Sequence, residues 1–196
     1  MKRWWIVTLF LVSMPWVAQD NSNQVEMQAM MEKMQAMTSP GPQHKALERF
    51  LGTWTTSSRI TMAGFDGEPA MGESTFDWLM EGRWLQLRGT STLMGRPYDI
   101  YSIIGYDNFK QSYVWTQVTS LDTAMLRSEG DMDPGGKAIL FYGTLDEYLT
   151  GEHDKMVKTV WRFINDDRIV LEIHDLPIGE KNTKVIEMTF DRKKDE

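Results

Sequence analysis

The sequence contains no cysteine among its 196 residues. That absence excludes a disulfide framework, a thiolate metal site, a cysteine nucleophile and an acylated lipoprotein anchor. Histidine is scarce, with His44, His153 and His174 the full set. No His-Glu-x-x-His run exists, and no two histidines stand at metal-ligand spacing, so no metal site is assigned. No Gly-x-Ser-x-Gly elbow is present, which leaves a hydrolase of that class unsupported. Positive charge is in deficit: 21 Lys and Arg against 28 Asp and Glu give a net charge of −7. A nucleic-acid partner would call for a basic patch. No apolar run reaches the roughly 20 residues of a membrane-spanning helix. With no catalytic set visible, no enzymatic activity and no cofactor are assigned.

What is present is a globular composition, 41% hydrophobic and 25% charged. The length suits one domain, with or without a tail. Lys2 and Arg3 precede an apolar run from Trp4 to Val12, followed by Ser13-Met14-Pro15, then Trp16-Val17-Ala18-Gln19 and the polar Asp20-Asn21-Ser22-Asn23. This is the order of a secretory signal, so residues 1–19 are expected to be a cleaved signal peptide. Cutting after Ala18 puts bulky Trp16 three positions back, and cutting after Gln19 puts Val17 there. Losing Lys2 and Arg3 with no acid moves the formal charge from −7 to −9. The expected location is periplasmic or extracellular, with no stable membrane anchor after cleavage.

Residues 20–52 read as a linker and N-terminal helices. Met27, Met30, Met31, Met34 and Met37 fall at helical spacing over Val25 to Met37. Thioethers suit Cu(I), and Met27, Met31 and Met34 could converge, but methionine also packs irregular apolar contacts, which is the simpler reading. Thr38-Ser39-Pro40-Gly41-Pro42 stops this helix. A second short helix is expected over Gln43 to Leu51, ended by Gly52. From Thr53 the apolar period becomes two. Ten strands are expected, at 53–62, 72–81, 83–94, 97–106, 111–119, 123–132, 137–145, 157–165, 168–175 and 183–192. Turn chemistry separates them: Gly64 to Gly67, Asp107-Asn108, Asp133-Pro134-Gly135-Gly136, Asn165 to Asp167, and Pro177 to Lys181. The run Gly130 to Lys137 has the wrong spacing for a phosphate loop, and beside Asp131 and Asp133 it lacks the third acid and closing Glu of a calcium hand, so a hairpin turn explains it. Strands in succession without helices imply an all-β antiparallel meander, and closure as an up-and-down barrel over 53–196 hides its edges.

Three stretches resemble a known family. Ser39-Pro40-Gly41-Pro42-Gln43-His44-Lys45, followed by Leu51-Gly52-Thr53-Trp54, resembles the start of the bacterial domain-of-unknown-function family 1579. Ile104-Gly105-Tyr106-Asp107-Asn108 is similar to its central hairpin. Ser128-Glu129-Gly130 and Met188-Thr189-Phe190-Asp191-Arg192 are similar to its later strands. The resemblance spans about residues 27 to 192. The Gly52-Thr53-Trp54 element also resembles the opening of lipocalin-like barrels, including fatty-acid-binding proteins and nitrobindins. That likeness implies a lipocalin-like fold in which Trp54 closes the floor under a basic residue from a late strand, here Arg192, a structural cation–π pair.

Aromatic and polar strand residues supply the candidate ligand-binding set: Trp78, Trp84, Arg88, Tyr106, Trp115, Gln117, Tyr142, Trp161, Phe163 and His174. The expected partner is an apolar small molecule in the barrel. Filling of the barrel by the same residues is the other reading, and it leaves a structural or protein-interaction module. Strand 168–175 leaves two faces open. Inward Val170, Glu172 and His174 would place a Glu/His pair in the cavity, and the likeness to nitrobindins then implies haem ligation through His174. Inward Ile169, Leu171 and Ile173 would turn His174 outward. Oligomeric state is not legible.

Overall fold

The structure is a computed structural model that describes residues 21–62, 65–66, 69–93, 95–147, 151–176 and 183–194. The expected signal peptide and the expected turns at Gly64–Gly67 and Pro177–Lys181 lie wholly or largely outside the described residues. The chain divides into two units, residues 1–39 and 40–196.

The described part of the first unit is one helix, α1 (Asn21–Thr38). It starts and ends close to the expected bounds. Unbranched Met, Gln, Glu and Lys dominate it, all good helix formers. The Gln28 amide donates to Glu32 one turn on, 3.1 Å away, and the Thr38 hydroxyl folds back onto the Met34 carbonyl where Ser39-Pro40 ends the helix. Met27, Met30, Met31 and Met34 are all exposed.

The second unit begins with α2 (Pro42–Lys45), a single turn with proline at its start, which tightens into a 3₁₀ helix over Ala46–Phe50. Eleven strands follow in the described residues: β1 (Gly52–Met62), β2 (Phe65–Asp66), β3 (Ala70–Met80), β4 (Trp84–Leu93), β5 (Arg96–Asp107), β6 (Ser112–Thr119), β7 (Leu126–Met132), β8 (Ala138–Glu147), β9 (Glu152–Asn165), β10 (Arg168–Asp175) and β11 (Thr183–Arg192). The two-residue β2 pairs only with the end of β1, at Thr61–Asp66 and Met62–Phe65. The other ten run in meander order, each antiparallel to the next, and β11 returns to β1 from Trp54–Arg192 to Ile60–Ile186. The result is a closed ten-stranded antiparallel barrel, and closure removes the free edges that a long meander would expose.

Turn chemistry sets the register. Asp133 opens the β7–β8 hairpin, and its carboxylate accepts from the amides of Gly135, Lys137 and Ala138. Those amides hold the Asp133 carboxyl below the usual carboxylate range. The glycine-rich run is thus a hairpin turn.

Alternation then fixes the faces. Trp54, Phe76, Leu85, Trp115, Phe141, Trp161, Ile169 and Phe190 are all essentially inaccessible to solvent and belong to one core. Segment 42–51 packs across one end of the barrel and inserts Leu47 and Phe50, both fully buried. Phe50 stacks within 5.0–5.3 Å of Phe76, Trp161 and Phe163, measured between ring centroids. The Trp54 indole donates to the Phe50 carbonyl at 2.8 Å. The Arg192 guanidinium lies 4.0 Å from the Trp54 ring centroid, and it donates to the carbonyls of Leu51, Arg49 and Asp166. One arginine therefore ties the last strand, the 3₁₀ turn and the first strand together. Tyr113 reaches the same segment, donating to the Gln43 carbonyl, and burial pushes its pKa up to about 12. This segment belongs structurally with the barrel and not with α1, whereas the sequence grouped it with residues 20–52.

Candidate functional site

The barrel interior has two chemically different halves. The half next to the 3₁₀ segment is aromatic. Trp161 sits at its centre, with ring centroids 5.3 Å from Phe50, 5.9 Å from Phe76, 6.0 Å from Trp115 and 5.3 Å from Phe190. The half further along the strands is lined by small hydroxyl residues at inward positions: Thr56, Ser58, Ser74, Ser91, Ser102 and Thr159 are all buried. Some of these hydroxyls satisfy one another. Ser58 and Ser91 lie 3.2 Å apart, and Ser102 donates to the Gln117 side-chain oxygen at 3.1 Å.

Others have no protein partner. The Trp115 and Trp161 indole nitrogens and the Ser128 and Thr159 hydroxyls are buried and make no hydrogen bond to another protein group. In the strand register Trp115 is the cross-strand partner of Ser128, Ser128 of Gly143 and Gly143 of Val157, while Thr159 stands one inward position along from Val157, opposite Phe141. Trp161 follows Thr159 on the same face of β9. Gly143 leaves the room that Ser128 uses, since a Cβ there would come within 2.3 Å of the Ser128 hydroxyl. Among the described inward-facing residues, charge occurs only at the two ends. At one end is Arg192. At the other, Lys155 and Asp175 form a 2.8 Å ion pair on the faces that carry Val157 and Ile173.

The residues singled out from sequence divide between the two faces. Trp78, Tyr106, Trp115, Gln117, Trp161 and Phe163 are on inward positions, Trp78 and Gln117 half-buried and the other four buried. Tyr106 and Phe163 belong to the closed aromatic end, where Tyr106 meets His44 and Tyr113, and Arg49 covers Phe163. Trp84, Arg88, Tyr142 and His174 face outward, which corrects their expected place in the interior. The reason is parity. Leu85, Leu87, Phe141 and Ile173 take the inward positions, so their neighbours point away. Trp84 lies flat on the outer surface over Gly105, where a Cβ would come within 2.2 Å of the indole. Arg88 sits over the outward Tyr101 ring at 5.9 Å, and Tyr142 is 49% exposed.

Strand β10 turns Ile169, Leu171 and Ile173 inward, so the interior Glu172/His174 pair, and with it haem ligation by His174 inside the barrel, is corrected by the geometry. The two side chains share an outer, half-buried charge cluster. The Glu172 carboxylate accepts from the Arg162 guanidinium at 3.0 Å and lies 3.7 Å from the Lys184 ammonium and 3.9 Å from His174. Burial, then the charge of Lys158, lowers the pKa of His174, partly opposed by Glu172. Among the described residues, no three histidine, aspartate or glutamate side chains come together to hold a metal. The outer surface also carries two grooves: one of about 660 Å³ beside Arg88, Tyr101 and Thr119, and one of about 720 Å³ lined mainly by outward residues such as Trp84, Val114 and Tyr142.

The sequence reading missed the hydroxyl lining. Its signal was available: Ser74 shares the alternating face of Trp78, and Thr159 that of Trp161, so each lies on the face of an aromatic residue in the candidate set.

Among solved structures, the chain is similar to Rv2717c from M. tuberculosis, with a TM-score of 0.60 and 12% identity over 80% of this chain and all of that one. It is similar also to the S-type phycobiliprotein lyase CPES from Guillardia theta, with a TM-score of 0.55 and 10% identity over 84% of this chain and 98% of that one. At such identities the likeness is one of fold, the lipocalin-like barrel. A search of curated proteins gives no match. The family described as "Protein of unknown function (DUF1579)" matches residues 39–192, which takes in the 3₁₀ segment and all ten barrel strands. The chain belongs to this family.

Proposed function

We propose that the protein is exported and binds a largely apolar small molecule in the hydroxyl-lined half of its barrel, as a carrier or sensor without chemistry of its own. The observation that carries this reading is the set of buried, unpartnered polar atoms on Trp115, Ser128 and Thr159. Native interiors pair nearly all such groups, and each one left unpaired costs about 1–3 kcal/mol. A barrel built only to be full would place apolar side chains at these positions. Apolar residues surround the patch: Ile100, Leu126, Val157 and Ile173 supply the surface that a hydrocarbon portion would cover. A phycobiliprotein lyase built on the same fold is consistent with small-molecule handling in such a barrel. The export half of the proposal rests on the Lys2-Arg3 start, the apolar run to Val12 and the polar stretch after Gln19.

The test is native mass spectrometry of the mature protein, purified gently from an exporting host and then denatured to release bound compounds. The expected result is a stoichiometric apolar adduct and an N-terminus at residue 19 or 20. A bare mass that stays bare after exposure to a panel of apolar compounds contradicts the binding proposal, and retention of residues 1–18 contradicts cleavage. A second reading, a protein-interaction module with a filled barrel, draws support from the exposed Met27, Met30, Met31 and Met34 on α1. The bare-mass outcome would favour it.

A further inference from the structure

The proposed binding site carries information about which end of a ligand it would hold. This inference rests on the reading of the barrel as a small-molecule carrier. We infer that the ligand is uncharged and carries a hydrogen-bond acceptor oxygen, as a ketone, ester or amide does, seated against Trp115, Ser128 and Thr159.

The argument is one of donor count and charge. An indole N–H is a donor and never an acceptor, so Trp115 must be met by an acceptor. A hydroxyl can give or take, and Ser128 and Thr159 adapt to whatever that acceptor leaves unsatisfied. The Trp161 N–H borders the same patch, although its edge-to-face contacts with Phe50 and Trp115, at interplanar angles of 86°, offer it the weaker alternative of a ring face. A pure hydrocarbon would leave all of these groups unpaired. A carboxylate would satisfy the donors, but it would need a counter-charge. Among the described residues none faces this patch: Arg192 is spent on three carbonyls and the Trp54 ring, and Lys155 is held by Asp175. An anion carried from water into such a site loses far more solvation than neutral donors return. A neutral oxygen between two hydroxyls and an indole N–H is the chemistry that fits.

The test uses N-phenyl-1-naphthylamine, whose fluorescence rises in an apolar site, and three competitors of matched length: 2-nonanone, 1-nonene and nonanoate. Displacement is read on the whole mature chain, on Thr159→Val and on Ser128→Ala. Both variants remove a hydroxyl with little change of shape, and their thermal midpoints confirm that they fold. The expected result is that 2-nonanone displaces the dye at about tenfold lower concentration than either competitor, and that this advantage shrinks several-fold in each variant while 1-nonene is unaffected. Equal potency of 2-nonanone and 1-nonene, or preference for nonanoate, overturns the inference and leaves carriage standing. A ketone preference that both variants keep also overturns it. Absence of dye binding together with a bare native mass overturns carriage itself.

Discussion

The two halves of the barrel interior solve one problem in opposite ways. Around Trp161 the interior is closed by rings packed edge to face and a 3₁₀ turn plugs the end; there the Trp54 N–H is answered by Phe50, the Tyr113 hydroxyl by Gln43 and the Arg192 guanidinium by three carbonyls, while the Trp115 and Trp161 N–H groups, toward the other half, find no partner within the protein. Further along the same strands, Ser, Thr and Gly stand among the apolar side chains, and the Ser128 and Thr159 hydroxyls find no partner within the protein. If the barrel binds a ligand as proposed, the contrast teaches that stability and function would be separated along the barrel axis. One half supplies apolar burial, while on that proposal the other would give some of that stability up to keep donors available.

Substitution can break this contrast, and the largest effect is expected at the aromatic end. Trp161→Ala removes the ring at the centre of the packing and should cost about 3–5 kcal/mol in urea unfolding. Ser102→Ala, in the other half, should stay within about 1 kcal/mol. Similar costs at the two positions would erase the distinction. Next in size is Arg192→Met, which keeps an unbranched apolar stem but leaves the carbonyls of Leu51 and Arg49 unanswered and uncovers Trp54. A loss of about 2–3 kcal/mol is expected, with the Trp54 emission shifting as its cation partner disappears.

The third effect has the opposite sign. Thr159→Val deletes an unpaired buried hydroxyl at nearly constant shape, so it should stabilise the ligand-free protein by about 1 kcal/mol. Destabilisation by that amount would mean that the hydroxyl is already bonded.

The smallest effect is one of pH. His44 is buried at the plugged end, where its Nδ1 accepts from the Gly41 amide. Burial lowers its pKa below the ordinary 6.5, with the Tyr106 carbonyl opposing and Arg83 adding to the shift. The unfolded chain therefore takes up a proton before the folded one does. The stability His44 contributes is whole above about pH 6.5 and is lost as pH falls toward its folded pKa. His174, also lowered, acts in the same direction. Urea titrations at pH 7.5 and pH 5 should show a smaller pH dependence in His44→Asn than in the parent chain, with the His174 share remaining.

Much of the architecture was legible in the sequence because a meander repeats one simple rule. Period-two alternation located all ten barrel strands to within a few residues, and Gly52-Thr53-Trp54 with Arg192 marked where the barrel begins and closes. The site was less legible, for two physical reasons. Size was taken as a sign of inwardness, yet Trp84 and Tyr142 are one residue out of step with Leu85 and Phe141, and a single step reverses the face. Small residues carry little hydrophobic signal, so Thr159 went unremarked although its parity matched that of Trp161, and Ser128 was read only as part of the family resemblance. The face of β10 could be decided only by its neighbours. Ile169 pairs with Phe163 and Phe190, and Leu171 with Trp161 and Met188, all core residues, and these contacts send His174 to the outside.

The most direct test of the separation is a ¹H–¹⁵N spectrum of the mature protein labelled at tryptophan nitrogen, recorded before and after addition of 2-nonanone, with the resonances assigned through Trp→Phe variants. Trp54, already bonded to the Phe50 carbonyl, is the internal reference, and Trp115 is the reporter. The account predicts that the Trp115 indole resonance moves downfield as its N–H gains an acceptor, while that of Trp54 stays in place. An unmoved Trp115 resonance at saturating ketone, or equal shifts at both indoles, would contradict it.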